Sequence, residues 1–240
     1  MRAVAVIPAR LASTRLPRKM LRELAGQPLF AYSYRAAQAS PMLADVILAT
    51  DSEEIFHAAQ QLGFHAEMTS VEHRSGTERV HEISLRFAAD VYVNVQGDEP
   101  LACREQIDTL MGLMEDESVP VGTLMTPCAA HDVANPNAVK VVRDDAGRAL
   151  YFSRAAIPHD RDSTQPQYFK HLGFYAYRKA ALEQFVRMPE SSLERAERLE
   201  QLRFLQSGTA IHVAETPFDS VGVDTEEDLA RVAAMLEARN

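Results

Sequence analysis

Along this chain, unbroken apolar runs alternate with stretches in which apolar residues recur every three or four positions. Ala3-Val4-Ala5-Val6-Ile7 is apolar on both faces, which predicts a buried parallel strand. Asp45 to Ala49, Val91 to Val95 and Val121 to Met125 read the same way. Between these runs the spacing predicts helices. One starts at Pro28, a residue tolerated in a first turn, and runs to Ser40. Ser52 reads as an N-cap, with Glu53 and Glu54 in the first turn and Gly63 as the stop. Further helices are expected from Thr77 to Phe87 and from Arg104 to Glu115. Strands alternating with helices of this length imply an α/β fold built on a doubly wound, mainly parallel sheet.

The pattern changes between Ala138 and Tyr177. Val139 to Arg143 and Arg148 to Ser153 flank Asp144-Asp145-Ala146-Gly147, a hairpin signal, and Phe169 to Tyr177 reads as another strand. The polar, proline-punctuated tract from Pro158 to Gln167 reads as a loop or lid. This predicts one domain over residues 1–240, with a small antiparallel insertion near 138–177. Helical spacing then returns. Leu193, Ala196, Leu199, Leu202 and Leu205 fall at three-residue steps, with Glu194/Arg198 and Glu200/Arg203 as expected ion pairs. Leu229, Val232, Ala233 and Leu236 mark a last helix beginning near Thr225.

Composition narrows the function classes. Apolar residues make up 46% of the 240, enough for a substantial core, and the formal charge of −9 argues against non-specific binding to nucleic acid or anionic membrane. Cys103 and Cys128 are the only cysteines and have no metal-ligand neighbours, as expected in a reducing compartment. The apolar burst at Ala3–Ile7 is too short for a signal-peptide core, and no later stretch could span a bilayer, so the cytoplasm is the expected location.

Candidate chemistry lies where an open α/β sheet places it, beyond the carboxyl ends of strands. Residues 8–19 follow the first strand and carry Arg10, Arg15, Arg18, Lys19, Ser13 and Thr14 in an otherwise acidic chain. Such a loop can wrap a polyphosphate with backbone N–H groups while its cations offset the charge. It holds neither a G-x-G-x-x-G nor a Walker A sequence, which removes the main support for dinucleotide dehydrogenases and P-loop NTPases. Asp98, in Gln96-Gly97-Asp98-Glu99-Pro100, is placed either to hold Mg²⁺ beside phosphates or to form the turn. Asp224 is either a second such carboxylate or the N-cap of the last helix. Ser75 and Thr77 open a helix and suit an anion, a base edge or plain capping.

Several stretches together resemble the 3-deoxy-manno-octulosonate cytidylyltransferases. They include PARLASTRLPRK (8–19), ATDSEE (49–54), SGTER (75–79), VNVQGDEP (93–100) and NPNAVKVV (135–142). YFSRAAIPHDRD (151–162), KHLGFYAYR (170–178), LERAERLEQLR (193–203) and GVDTEEDL (222–229) continue the series in family order. The resemblance implies a nucleotidyltransferase, Rossmann-like fold and a homodimer. It implies transfer of CMP from CTP to the anomeric hydroxyl of 3-deoxy-D-manno-octulosonate (Kdo), with release of pyrophosphate, for lipopolysaccharide biosynthesis.

By the family motif, Arg10, Ser13, Arg15 and Lys19 hold the CTP phosphates, with Ser75 and Thr77 on the nucleotide side. Asp98 and Asp224 hold a catalytic Mg²⁺, and Lys19 and Arg15 stabilise the leaving pyrophosphate. Gln96, Arg161, His171, Tyr175, Glu200 and Gln201 shape the sugar pocket. The chain departs from the pattern in two places. His159 stands where tryptophan is common, and Arg18 and Met20 flank Lys19 in place of glycine and proline. The rival readings are a cytidylyltransferase for another ulosonic acid or a phosphonate, a glycosyltransferase, which usually carries a D-x-D motif, and a non-catalytic nucleotide sensor.

Overall fold

The first apolar run forms strand β1 (Ala3–Ala9), and all its residues are buried. The computed structural model describes residues 1–237. A short 3₁₀ turn at Lys19–Leu21 leads into a hairpin of β2 (Glu23–Leu24) and β3 (Gln27–Pro28). Then come α1 (Phe30–Gln38), β4 (Asp45–Thr50), α2 (Glu53–Gln61), β5 (Ala66–Met68), α3 (Gly76–Arg86), β6 (Val91–Asn94) and α4 (Arg104–Leu113). The chain continues through β7 (Val121–Pro127), α5 (Ala130–Val133), β8 (Lys140–Arg143), β9 (Ala149–Ser153) and β10 (Phe169–Arg178). It ends with α6 (Lys179–Arg187), α7 (Ser192–Glu197), α8 (Leu202–Gln206), β11 (Ile211–Glu215) and α9 (Glu226–Glu237). The fold is α/β with a mainly parallel sheet and a smaller antiparallel part, as the alternating pattern implies. Among the described residues no helix is long and apolar enough to cross a membrane.

Two compact units divide the chain: Met1–Asp108 with the segment from Ser220 onward, and Thr109–Asp219. In the first, β1 pairs in parallel with β4 on one side and β6 on the other, and β5 extends β4. Parallel pairing brings the loops that follow β1, β4 and β6 out at one edge. Leu16, inside the loop after β1, is fully buried against Leu24, Leu29, Leu101, Val223 and Val232. Burying one such leucine is worth roughly 1.5–3 kcal/mol, enough to anchor a loop that is otherwise polar.

Expected signals are found at Ser52, whose side chain caps α2, and at Gly63, which follows that helix at φ +75°. Pro28 is different. It lies in β3 opposite Glu23, and α1 starts at Phe30. Ala25 and Gly26 turn that hairpin at positive φ, and strands of two residues leave no periodicity to read.

In the second unit β7 pairs in parallel with β11 and antiparallel with β10, and β8 pairs antiparallel with both β9 and β10. The Asp144 carboxylate accepts from the N–H groups of Ala146 and Arg148, and Gly147 takes the left-handed conformation that the β8–β9 turn requires. The three-residue leucine spacing does not make one helix. Arg198 adopts φ 55°, ψ 45° and separates α7 from α8. The break brings Arg203 onto Glu194, at 2.8 Å and 2.5 Å, so Glu194 pairs with Arg203 instead of the expected Arg198.

An aromatic column backs this unit. Phe152, His171, Tyr175, Tyr177 and Phe204 follow one another with centroid spacings between 5.0 Å and 5.9 Å. Part of the His171 surface is exposed, but its ring lies between Phe152 and Tyr175. Loss of hydration there pushes its pKa down to about 3 from an ordinary 6.5. Thr123 Oγ donates to the Phe174 carbonyl at 2.7 Å, which leaves its lone pair to accept from a neutral imidazole Nε2–H at 3.0 Å.

Below pH 6.5 the unfolded chain therefore binds a proton that the folded chain refuses, and stability falls as pH falls from there toward 3. From pH 7 to pH 5 this single group costs about 2 kcal/mol. Urea unfolding at the two pH values should show His171→Asn losing less stability than the parent by about that amount. Equal losses in both proteins would place the acid sensitivity elsewhere.

Candidate active site

A cavity of about 520 Å³ opens at the carboxyl edge of the first unit, a size suited to a small ligand. The loop after β1 supplies Arg10, Ser13, Arg15 and Lys19 to its wall. The loop after β6 supplies Gln96 and Asp98, the start of α3 supplies Ser75, and Asp224 comes from the segment before α9. All eight were nominated from sequence. Thr77 is not part of the lining and is buried in the first turn of α3, at 2% exposure.

Lys19 stands at the centre of the charges. Its ammonium donates to Asp98 Oδ2 at 2.5 Å and to Asp224 Oδ1 at 2.8 Å, with only 8% of the residue exposed. Burial works against the charged amine, but the two carboxylates outweigh it and raise its pKa. Burial likewise opposes ionisation of Asp224, yet Lys19 and Arg15, the latter at 2.8 Å, hold its carboxyl below the usual range. Two residues 126 positions apart in sequence therefore share one cation.

Backbone and side-chain bonds set this convergence. The Asp98 carbonyl accepts from Val223 N–H at 2.9 Å, and the Ser220 hydroxyl donates to the Glu99 carboxylate. Ser33 Oγ donates to the carbonyls of Gln96 and Glu99, fixing the turn from the α1 side. Gly97 is required by close approach, since a Cβ there would sit 3.0 Å from the Pro8 carbonyl oxygen and 3.2 Å from Met20 Sδ.

Of the two readings open for Asp224, the capping role belongs to its neighbour. Thr225 Oγ accepts from Asp228 N–H at 3.1 Å, while Asp228 Oδ2 accepts from Thr225 N–H at 3.1 Å. The Asp224 side chain is thereby left to Lys19 and Arg15.

Ser75 does cap its helix, accepting from Glu78 N–H at 3.2 Å, and it also borders the cavity. The departures around Lys19 are accommodated. Arg18 takes φ 57°, a left-handed conformation that glycine adopts without cost, and its guanidinium pairs with Glu54. Met20 is buried, with its sulfur against Gly97. His73, Arg74 and Arg79 also border the cavity and were not singled out from sequence. Arg79 stood within the SGTER stretch, but only its packing marks it.

The remaining nominated residues belong to the second unit. Arg161 is exposed in the proline-rich tract, His171 and Tyr175 lie on β10, and Glu200 and Gln201 precede α8. Gln201 is 8% exposed and its Nε2 is buried without a hydrogen-bond partner among the described residues. The Tyr175 hydroxyl faces Thr123 across the β10–β7 ladder, but the Thr123 Oγ is committed to the Phe174 carbonyl, and among the described residues the phenol makes no hydrogen bond of good geometry. Burial raises the Tyr175 pKa well above its ordinary value.

Comparison with known proteins gives the family and the fold. A family model described as cytidylyltransferase matches residues 4–211. The 3-deoxy-manno-octulosonate cytidylyltransferase of Koribacter versatilis is 63% identical over 240 residues, covering all of this chain and 92% of the relative. That of Acidobacterium capsulatum is 54% identical over 235 residues, covering 98% of this chain and 96% of the relative. A solved structure of a CMP:2-keto-3-deoxy-manno-octonic acid synthetase complexed with CTP superposes with a TM-score of 0.96 at 40% identity, over the full length of both chains. A cytidylyltransferase from Leptospira borgpetersenii, at 16% identity and a TM-score of 0.67, shares the fold. With the matched sequence running from end to end and one cation already shared by two distant carboxylates, the chain belongs to the 3-deoxy-manno-octulosonate cytidylyltransferase family.

Proposed function

We propose that this chain transfers CMP from CTP to the anomeric hydroxyl of 3-deoxy-D-manno-octulosonate, as a cytoplasmic homodimer whose product serves lipopolysaccharide assembly. The observation that carries the reading is Lys19 held between Asp98 and Asp224 in the wall of a cavity that also presents Arg10 and Arg15. In the reaction the acceptor oxygen bonds to the α-phosphorus of CTP, the bond from that phosphorus to the bridging oxygen breaks, and pyrophosphate departs. The hydroxyl proton goes to solvent.

Such transfer depends on alignment and charge neutralisation. Arg10, Arg15 and the Ser13 hydroxyl bind and orient the triphosphate, and Ser75, with Thr77 in the helix turn behind it, serves the nucleotide side. Lys19 and Arg15 face charge that grows on the leaving group. On the acceptor side, Arg161, His171, Tyr175, Glu200 and Gln201 of the second unit take the sugar acid. Gln201 Nε2 and the Tyr175 hydroxyl, without a partner among the described residues, support this, because such a buried polar group costs roughly 1–3 kcal/mol, which a bound polyol would offset.

Asp98 and Asp224 fit a hard dication, since one oxygen of each already converges on the Lys19 ammonium. Among the described residues no group of three or more His, Cys, Asp or Glu is placed to hold a metal, so the protein would contribute two carboxylates and leave other positions to phosphate and water. That is the usual way magnesium is held beside nucleotides. When bound there, Mg²⁺ would supply Lewis acidity that lowers the pKa of the acceptor hydroxyl.

Pyrophosphate release with CTP and a panel of acidic sugars tests the reaction. Kdo should be turned over best, and ATP should support little turnover. Release of a nucleoside diphosphate from a nucleotide sugar would instead identify a glycosyltransferase.

Asp98→Asn and Asp224→Asn should each lower the rate by about 10²-fold or more, with the double variant little worse than either single one. The cap at Thr225 makes this decisive, because neither substitution removes a helix cap. Initial rates across a Mg²⁺ titration, with circular dichroism as the folding control, check it. Near-normal rates in either variant would remove the shared metal from the mechanism.

Lys19→Ala should lower kcat by roughly 10²–10³ while changing the KM for the sugar little. Steady-state kinetics with the sugar varied at saturating CTP measure both, and a twofold effect would leave Lys19 a structural counter-ion only.

A further inference from the structure

Asp51 directly follows β4, and Arg79 lies in the first turns of α3. Arg79 is 2% exposed. Its guanidinium donates to Asp51 Oδ2 at 2.9 Å, to the Thr69 hydroxyl, and to the Ser70 carbonyl at 3.4 Å. The other oxygen of Asp51 accepts from the N–H of Leu11 at 3.3 Å. Leu11 sits in the loop after β1 between Arg10 and Ala12, which line the nucleotide cavity. Thr69 and Ser70 open the loop that delivers His73, Arg74 and Ser75 to the same lining.

We propose that Asp51 and Arg79 form a positioning pair for nucleotide binding, fixing the separation between the loop after β1 and the loop of residues 69–75. The proposal rests on the assignment of this cavity to CTP.

Other bonds hold the second loop too, some to the end of β4 and the rest to its own helix. The Thr50 carbonyl accepts from Thr69 N–H at 2.8 Å and Thr69 Oγ at 3.0 Å. Glu78 Oε2 accepts from Arg74 N–H at 2.7 Å, and Glu82 Oε2 accepts from Ser70 N–H at 2.8 Å and meets His73 Nε2 at 2.6 Å. The Asp51–Arg79 pair differs in reaching both loops, with one carboxylate oxygen committed to each side. A buried ion pair contributes little net stability over well-packed apolar side chains of similar volume, so its worth here lies in geometry. The fork of a guanidinium can satisfy Asp51 and Thr69 at once, which a lysine ammonium at the same place does not reproduce.

Asparagine at position 51 is a sharp probe. It replaces one acceptor oxygen with an NH₂ group, which sets a donor against either the Leu11 N–H or the Arg79 guanidinium. The test is isothermal titration of CTP into the full-length parent, Asp51→Asn, Arg79→Lys and Glu194→Gln, with thermal unfolding and CTP-saturated kcat measured alongside. Glu194 forms a comparably buried pair with Arg203 in the second unit, with side-chain exposures of 10% and 13%, and reports the cost of breaking such a pair away from the cavity.

Loss of one hydrogen bond that shapes a binding site corresponds to roughly a tenfold rise in Kd. Asp51→Asn should show at least that rise, with kcat changed far less, because positioning the loops serves ground and transition states alike. Arg79→Lys should fall between the parent and Asp51→Asn, and carries the test alone if Asp51→Asn does not fold. Glu194→Gln should lose thermal stability and keep the parent's Kd. Parental CTP affinity in both cavity variants, or equal weakening in Glu194→Gln, would reduce the pair to an ordinary structural ion pair. A parent that fails to bind CTP would overturn the assignment of the cavity itself.

Discussion

Parallel pairing of β1 between β4 and β6 is the constraint from which the site follows. The register sets Ala9 opposite Thr50 and Val6 opposite Asn94, so three chain exits open within one small area. Antiparallel neighbours would have sent alternate loops to the far edge. Each exit then adds a different chemistry: cations after β1, a buried acidic link after β4, and an amide and a carboxylate after β6. The helix α9 segment completes the set by docking Val223 and Val232 on the same apolar cluster that holds Leu16.

Electrostatics follow from this clustering. A chain with a formal charge of −9 concentrates Arg10, Arg15, Lys19, Arg74 and Arg79 around one cavity. The net negative charge repels polyanions in general, while the cavity focuses attraction on one that fits. The two carboxylates inside keep that cavity from being uniformly basic, and Lys19 neutralises part of their charge where burial would make it expensive.

Much of this was legible in the sequence, for reasons that particular residues make plain. β1 declared itself by five consecutive apolar positions, and Ser52 and Gly63 bounded α2 because capping and left-handed stops are local chemistry. The β2–β3 hairpin escaped because two-residue strands have no period. The break at Arg198 escaped because leucines at three-residue spacing fit one helix as well as two, and only the pull of Glu194 on Arg203 distinguishes them. Asp224 was ambiguous while Thr225 and Asp228 could not be seen to cap each other. Ion pairs such as Asp51 with Arg79 leave no trace in periodicity, since nothing in spacing says which carboxylate a buried arginine will meet.

The left-handed backbone at Arg18 has a consequence for how such a loop can change over time. A residue with a side chain pays about 1–2 kcal/mol to hold that conformation, so the path of the chain into Lys19 is imposed by its anchors, Leu16 below and Met20 beyond. Where the frame dictates the path, the occupant of position 18 is released from the duty of shaping it. The position can then trade backbone ease for a surface charge, here one that meets Glu54 on the neighbouring helix, while the ammonium one residue later stays where it is. Heritable variation beside Lys19 is in this way uncoupled from the geometry of the loop.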